Sequence, residues 1–386
     1  MISNSTFAPV INALVEELAH QGLDGLSELL SRLFNELMKA EREHAIQAAP
    51  YERTEARKGY ANGFKDKTVQ SRFGKLQLSV PKTRGIAFYP QCLEKGERSE
   101  RALKLAIAEM YVQGVSTRRV GAIAEELCGF DLSSTQVSRV ATLLDEELEK
   151  FRQRPLDALM YLYLDAHYEK VRHNGQVRDL AVLKAVGVNK QGRREVLGIS
   201  CSLSEAEVHW RAFLEDLLKR GLKGVELIIS DDHSGLKAAL RATTPSVPWQ
   251  RCLFHLAQNA QSYAPSRIMR EEIGQAVRDI YQARNRQEAE RRVKEAVERY
   301  SQKAPKFCEW LEENAAEAMA YYSFPREHWK KIRTVNVVER LNEEIRRRTR
   351  VARLFPNEAS CERLVTAVVS EIHEEWISGK RYVTFE

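Results

Sequence analysis

The chain has 386 residues, 43% of them hydrophobic, enough for two or three domains with cores of their own. Its net charge of +6 and pI near 8.9 are a mild basic bias that selects no partner by itself. No apolar run approaches about 18 residues, so no membrane span is expected. Glu16 and Glu17 interrupt the first apolar stretch, which argues against a signal peptide. The six cysteines form no Cys-x-x-Cys pair and read as free thiols of a reducing cytosol.

Residues 8–46 read as helices, with Leu26, Leu29, Leu30, Leu33, Phe34, Leu37 and Met38 on one face. That face packs on its own domain or, alternatively, binds a partner helix; the first is the plainer reading. Between Arg53 and Arg84 stand nine Lys or Arg against two acids, Glu55 and Asp66. Here a basic loop leads through Phe73, Leu76, Leu78 and Val80 into a short β-ribbon ending at Pro81. A second basic cluster comprises Arg346, Arg347, Arg348, Arg350 and Arg353. Such clusters suit a polyanion such as DNA, and equally a solvated surface.

Helices follow over 101–113 and 117–128, the latter capped by Ser116. After the turn Gly129-Phe130-Asp131-Leu132, Ser133 or Ser134 caps a third helix running toward Leu148. This is a helix-turn-helix pattern, which any three-helix bundle can imitate. Val137, Val140, Leu144 and Leu148 would face inward on the third helix. Thr135, Ser138 and Arg139 would face outward, with Gln136 at the boundary, placed to reach phosphates or base edges.

From residue 158 the pattern becomes α/β. Strands are expected at 161–165, 180–188, 195–202, 225–230 and 247–252, with helices at 205–219 and 236–242. Residues 256–328 are charged and helical, without strand signal. A helix runs from Thr334 to about Arg350.

Asp165 follows the apolar strand YLYL, and Asp231 ends VELIIS. Carboxylates at strand ends sit at a sheet rim, where α/β folds place ligands. Two held close repel unless a cation lies between them, and Mg²⁺ prefers such oxygen ligands. A lone strand-end Asp is more often a turn residue. Asn336, Glu339 and Glu343 share a helix face that continues to Arg347 and Arg350. Taken alone, that helix reads as a solvent face laced with pairs such as Glu343–Arg347 and Glu344–Arg348. Cys252 and His255 have metal-like spacing but make only two ligands. A packed Cys and a hydrogen-bonded His are therefore expected rather than zinc. His233 either touches the site or caps the next helix.

Together the motifs say more. The stretches YLYLDAHYEKVR (161–172), LGISCSLSEAEVHWRAFLEDLLKRGLKG (197–224), LIISDDHSGLKAAL (227–240), WQRCLFH (249–255) and NVVERLNEEIRRRTRVARLFPN (336–357) occur in this order. With GYANGFKDKTV (59–69), they make nearly the whole chain resemble the Mutator-like transposases of bacterial insertion sequences. The resemblance implies an α/β, ribonuclease H-like catalytic core with an Asp-Asp-Glu site and an all-helical insertion. A mainly helical DNA-binding region with a helix-turn-helix would precede it. It makes Asp165, Asp231 and Glu339 the catalytic, metal-binding residues, with Mg²⁺ as the cofactor and Mn²⁺ as a substitute. It also places the family's Cys-x-x-His motif on Cys252 and His255, near the site. By their own positions in the sequence His233 and Asn336 would lie near it too, and Thr135, Gln136, Ser138, Arg139, Arg346, Arg347 and Arg350 would face DNA.

The implied layout is an N-terminal helical region (1–50), a basic β-ribbon segment (51–98) and a helix-turn-helix domain (99–150). A catalytic core (158–255 and 329–386) follows, interrupted by a helical insertion (256–328). Asp232 stands where a small residue is expected, and Val335 where a Thr is expected; Asp231 is chosen over Asp232 because it aligns with the strand end. The implied activity is metal-dependent cleavage and strand transfer at the inverted-repeat ends of an insertion sequence. A homodimer would act on double-stranded DNA in the bacterial cytoplasm, at the nucleoid. A metal-dependent nuclease of the same fold, or a DNA-binding protein without catalysis, are the alternatives.

Overall fold

The computed structural model describes Glu16 and residues 25–385 except 94, 97, 98, 129 and 352. The side chains of Arg101, Ala102, Ser138 and Leu143 also lie outside that description. The helical reading before Gly25, Glu16 apart, lies outside the described residues as well. The chain divides into two compact units, Met1–Leu143 and Leu144–Glu386.

In the first unit, helix α1 (Leu26–Ile46) lies on a hairpin of β1 (Tyr60–Ser71) and β2 (Gly74–Arg84). Met38, Leu76, Leu78 and Val80 are almost wholly buried between them. Each contributes about 1.5–3 kcal/mol of apolar burial. Polar residues of the helix finish the strand edge. Ser31 Oγ accepts from Gln77 N at 3.0 Å, and Asn35 Oδ1 accepts from Ser79 N at 2.7 Å. The edge of β2 away from β1 is thus hydrogen-bonded rather than open. The ribbon is longer than expected: the basic stretch read as a loop is the strand β1. Its side chains are mostly exposed, so it has no apolar alternation to show, and its backbone pairs with β2.

Helices α2 (Arg101–Val112), α3 (Thr117–Cys128) and α4 (Ser134–Ala141) bury Leu103, Ile107, Val120, Ala124, Phe130, Leu132 and Val137 together. Ser116 Oγ accepts from Arg119 N, and Ser133 and Gln136 form a reciprocal capping box at the start of α4. Gly121 lets the turn approach α3: a Cβ there would stand 2.5 Å from Leu132 O. The third helix does not run on to Leu148. It ends at Ala141, and a 3₁₀ turn (Thr142–Leu144) intervenes before α5 (Asp145–Gln153). Thr142 Oγ1 donates back to Arg139 O at 2.7 Å, and Asp145, Glu146 and Glu147 begin a new helix with the charge its N-terminus favours.

The second unit is a mixed α/β structure around a five-stranded sheet. Its strands are β3 (Leu159–His173), β4 (Gln176–Asn189), β5 (Arg194–Ser202), β6 (Leu227–Ser230) and β7 (Trp249–Arg251), in the order β5-β4-β3-β6-β7. The first three are antiparallel; β6 and β7 join β3 in parallel. Helices α6 (Glu207–Lys219) and α7 (Ser234–Thr243) cover one face, where Leu162, Leu164, Leu183, Trp210, Leu214, Leu217, Ile228 and Leu236 form a closed core. Side chains pointing to the other face meet later parts of the chain. Tyr161 Oη lies 2.7 Å from His328 Nδ1, and Tyr163 Oη donates to Lys331 O. Helices α13 (Asn336–Thr349) and α14 (Glu358–Ser378) pack on this side. No element was expected over α14.

Between β7 and α13 the chain is helical: α8 (Leu253–Ser262), α9 (Arg267–Ile280), α10 (Arg286–Tyr300), α11 (Pro305–Asn314), two 3₁₀ turns and α12 (Trp329–Ile332). Arg251, 1% exposed at the end of β7, ties these helices to the sheet. It reaches Asn314 Oδ1 at 2.7 Å, Glu317 Oε2 at 2.9 Å and Asp232 Oδ2 at 3.0 Å. Among the described residues no helix is long and apolar enough to cross a membrane.

Candidate active site

Asp165 is not at a strand end. β3 runs eight residues past it to His173, because β4 pairs with it along that whole length. What ends beside Asp165 is β6. Tyr163 and Ile229 are the last pair of that parallel ladder, and Asp231 follows directly after β6, near enough to Asp165 for the two charges to repel. Adjacent strands lie roughly 5 Å apart. The Asp165 carboxylate takes the face opposite Leu162 and Leu164, toward α13.

Asp165 is 8% exposed, and its partners come from two elements. Asn342 Nδ2, on α13, donates to Oδ2 at 2.7 Å, and Lys184 Nζ, opposite on β4, is 3.5 Å from the same oxygen. Lys184 is fully buried, and desolvation pulls it down to about 8 against the opposing pull of Asp165. It also donates to His167 Nδ1 at 2.6 Å, leaving the ring proton on Nε2, 3.2 Å from Glu169 Oε1. Thr349 Oγ1 donates to that same Glu169 oxygen. A polar row thus runs along β3 beneath α13.

Asp231 and Glu339 are half-buried, and among the described residues neither carboxylate has a hydrogen bond or an ion pair. Burial pushes Asp231 upward first, with Asp165 and Glu205 adding to it and His255 and His233 opposing. Glu339, in the first turn of α13, is raised by burial, Asp165 and Glu343, and lowered by His255. Asp165 thus repels both Asp231 and Glu339, and of the three the positive charge of Lys184 sits on Asp165 alone. The adjacent Asp232 is different: it pairs with Lys237 at 2.8 Å and Arg251 at 3.0 Å.

Cys252 is a structural latch. Its thiol is wholly buried, pushed up to about 11 by burial, and accepts from Val335 N at 3.4 Å; its own N–H donates to Ser230 O. The start of α13 is thereby tied to the end of β6. His255 lies toward Asp231 and Glu339, but its Nδ1 is buried without a protein partner, contrary to the expected hydrogen-bonded ring. His233 occupies the N-cap position of α7 without capping it through its side chain, and stands 3.9 Å from Glu205 Oε2. Asn336 is exposed at the first turn of α13.

Arg346, one and two turns on from Asn342 and Glu339, is exposed and close enough to oppose the charge on Lys184. Arg347 and Arg350 are exposed too. Arg347 pairs with Glu344 rather than with Glu343, and buried Arg348 joins Glu344 to Glu371. In the first unit Thr135, Gln136 and Arg139 are exposed on α4, with Gln136 Oε1 held by the cap; the Ser138 side chain lies outside the described residues.

The donor set fits a hard divalent cation. Among the described residues Asp165 keeps Oδ1 free of protein bonds, and two further carboxylates stand unpaired. Among the described residues no three His, Cys, Asp or Glu side chains already converge at ligand spacing. Mg²⁺ ordinarily takes one or two carboxylates and completes its shell with water and phosphate. Lys184 and Asn342 were missed by the sequence reading. A lone lysine inside LAVLKAVGV was the available signal for the first. Asn342 carried none, being one polar residue on a charged helix.

Residues 4–379 match the family described as "Transposase, Mutator family". The chain is 52% identical over 97% of both lengths to the transposase for insertion sequence element IS406 of Burkholderia multivorans. It is 43% identical to the transposase for insertion sequence element ISRM5 of Rhizobium meliloti, covering 97% of this chain and 94% of the relative. The transposase for insertion sequence element IS256 in transposon Tn4001 of Staphylococcus aureus is 37% identical over 94% of each chain. With a match that spans both units and every motif around the carboxylates, the chain belongs to the Mutator family of transposases.

Proposed function

We propose that this protein is a DNA transposase that cuts and rejoins DNA at the ends of an insertion sequence, with Asp165, Asp231 and Glu339 as its catalytic carboxylates. The supporting observation is Asp165 on β3 with Asp231 just after the end of the neighbouring parallel strand β6, both Asp231 and Glu339 within electrostatic reach of Asp165, and neither of the two neutralised by a protein partner among the described residues. The sheet order, three antiparallel strands then two parallel, supports a ribonuclease H-like core over 158–255 and 329–386, with 256–328 as the helical insertion. The capped α4 after the turn at Phe130 supports a helix-turn-helix over 99–150, presenting Thr135, Gln136 and Arg139 to DNA. The exposed β1–β2 ribbon (51–98) would add phosphate contacts, and 1–50 the helical lead.

Mg²⁺ or Mn²⁺ ions bound by the three carboxylates would supply activation of the attacking oxygen and charge stabilisation at phosphorus. The chain's own residues set the geometry. Asn342 and Lys184 hold Oδ2 of Asp165 and leave Oδ1 available to a metal ion. Cys252 holds the start of α13, and so Glu339, against the end of β6. Arg346, Arg347 and Arg350 would carry the DNA backbone past the carboxylates. Bringing two element ends together makes a homodimer the natural assembly. The work is done on double-stranded DNA in the bacterial cytoplasm, at the nucleoid.

The test is a labelled duplex carrying the DNA that flanks this gene, incubated with protein and Mg²⁺ or Mn²⁺, with cut and joined products resolved. Cuts at fixed positions followed by joined strands support the proposal. Cuts without joined strands favour a nuclease, and binding without cutting favours a non-catalytic DNA-binding protein.

A further inference from the structure

A cleft of about 500 Å³ opens between α8, α9 and the start of α13, where Asn336 lines it one helical turn before Glu339. α8 contributes Phe254, Ala257, Gln258 and Gln261, which fall at i, i+3, i+4 and i+7 on one face; His255, one position round, turns to the carboxylates. Arg278, Tyr281 and Gln282 form the opposite wall, and Arg333, Thr334 and Asn336 the floor nearest the site. Asn336 is one turn from Glu339 on the same helix face.

The chemistry of the lining is specific. Among the described residues no carboxylate lines the cleft, although Asp and Glu supply 54 of the 386 residues. Arg278 and Arg333 line it, and among the described residues neither forms an ion pair, although Arg278 donates to Gln275 Oε1 and Arg333 to Tyr281 O. The side-chain amides of Gln258, Gln261, Gln282 and Asn336 make no protein hydrogen bond among the described residues, and Thr334 Oγ1 is buried without a partner. Phe254 is 55% exposed, so its ring is not there to fill a core. An aromatic face, free amides that both donate and accept, and arginines not neutralised by a carboxylate match a nucleotide: ring to base plane, amides to base edge, guanidinium to phosphate. A paired base inside a duplex presents no free face to Phe254.

We propose that this cleft binds one unstacked nucleotide of the DNA next to the phosphate being cut. The inference rests on the proposed catalytic role of the carboxylates, which fixes where the scissile phosphate lies. Seating that base would hold the strand in register with Asp165, Asp231 and Glu339. The cost of unstacking would be offset by contact with Phe254 and the amides.

The test uses the full-length protein carrying Asp231→Asn, which should bind without cutting. Duplexes spanning one element end carry 2-aminopurine at each position around the cut, in turn. The expected result is a rise in emission on binding at one position within a few nucleotides of the cut. Adding Phe254→Ala should abolish that rise and weaken binding of the paired duplex by roughly 10- to 100-fold. A mismatch at that position should restore most of the lost affinity, since the unstacking is then already done. Gln258→Ala, at an exposed position, serves as the second variant and should weaken the response without altering the fold. No responsive position, or a response that survives Phe254→Ala, would overturn the proposal. Cutting by the same protein with Asp231 intact is scored separately, so failure of the catalytic reading shows as loss of that difference and not as loss of the emission signal.

Discussion

Replacing Asn342 with leucine separates positioning of the catalytic carboxylate from stability of the fold. The amide donates to Asp165 Oδ2 at 2.7 Å, while its own Oδ1 is buried without a partner. A hydrogen bond to a charged acceptor contributes about 1.5–3 kcal/mol, whereas a buried unsatisfied oxygen costs about 1–3 kcal/mol. Leucine, of similar volume, removes both at once, so the two effects on folding oppose each other. Net stability should change by less than about 1 kcal/mol in urea unfolding. Asp165 would keep only Lys184, 3.5 Å away, on the same oxygen. Loss of the stronger restraint should slow single-turnover cleavage of an element-end duplex by about 10- to 150-fold. Cleavage within about threefold of the parent would refute the argument, as would a loss of activity that merely follows a fall of more than about 2 kcal/mol in stability.

Three further outcomes are expected. Arg251→Met removes the buried guanidinium shared by Asn314, Asp232 and Glu317; the two acids keep Lys237 and some solvent, so unfolding stability should fall by about 2–4 kcal/mol, and an unchanged urea midpoint would contradict the network. Gly121→Ala forces a Cβ to 2.5 Å from Leu132 O and should destabilise the α3–α4 packing by about 1–3 kcal/mol, read as faster amide exchange in α4; unaltered exchange would show that the turn has room. His373, packed edge-on against Phe151, is pushed from 6.5 down to about 4 by burial first and Arg154 second. The unfolded chain therefore takes up the proton first on acidification, and stability is lost as pH falls from 6.5 through 4. His373→Phe should flatten that loss by about 1 kcal/mol, less than the full shift implies because the ring is partly solvated; identical pH profiles would contradict the assignment.

Much of the α/β unit was legible because its strands are apolar runs of the right length and its helices carry clear periodicity. Asp231 showed itself at the end of VELIIS. Asp165 was found for a reason that did not hold: the strand continues through a polar stretch to His173, and pairing with β4 is a tertiary fact that composition does not carry. β1 was hidden for the same reason, since exposed strands lack alternation. The break after Ala141 depended on a local Thr142 hydrogen bond that periodicity does not register. Asp232 and Asp231 are adjacent acids that the strand end alone separates in the sequence; the ion pairs of Asp232 with Lys237 and Arg251 add a second difference that no local pattern carries. Lys184 was visible as a charge in an apolar strand, yet its meaning needs the knowledge that Asp165 lies opposite.

The difference between these two aspartates gives the most direct test. Metal-dependent cleavage of an element-end duplex would be compared for the parent, Asp231→Asn and Asp232→Asn. Asp231, half-buried and unpaired beside Asp165, should be indispensable, with cutting down by about 100-fold or more. Asp232→Asn loses a salt bridge to Arg251 and Lys237 and should keep cutting within about 10-fold, at some cost in stability. Equal cutting by both variants, or loss only in Asp232→Asn, would contradict the assignment of the catalytic carboxylates.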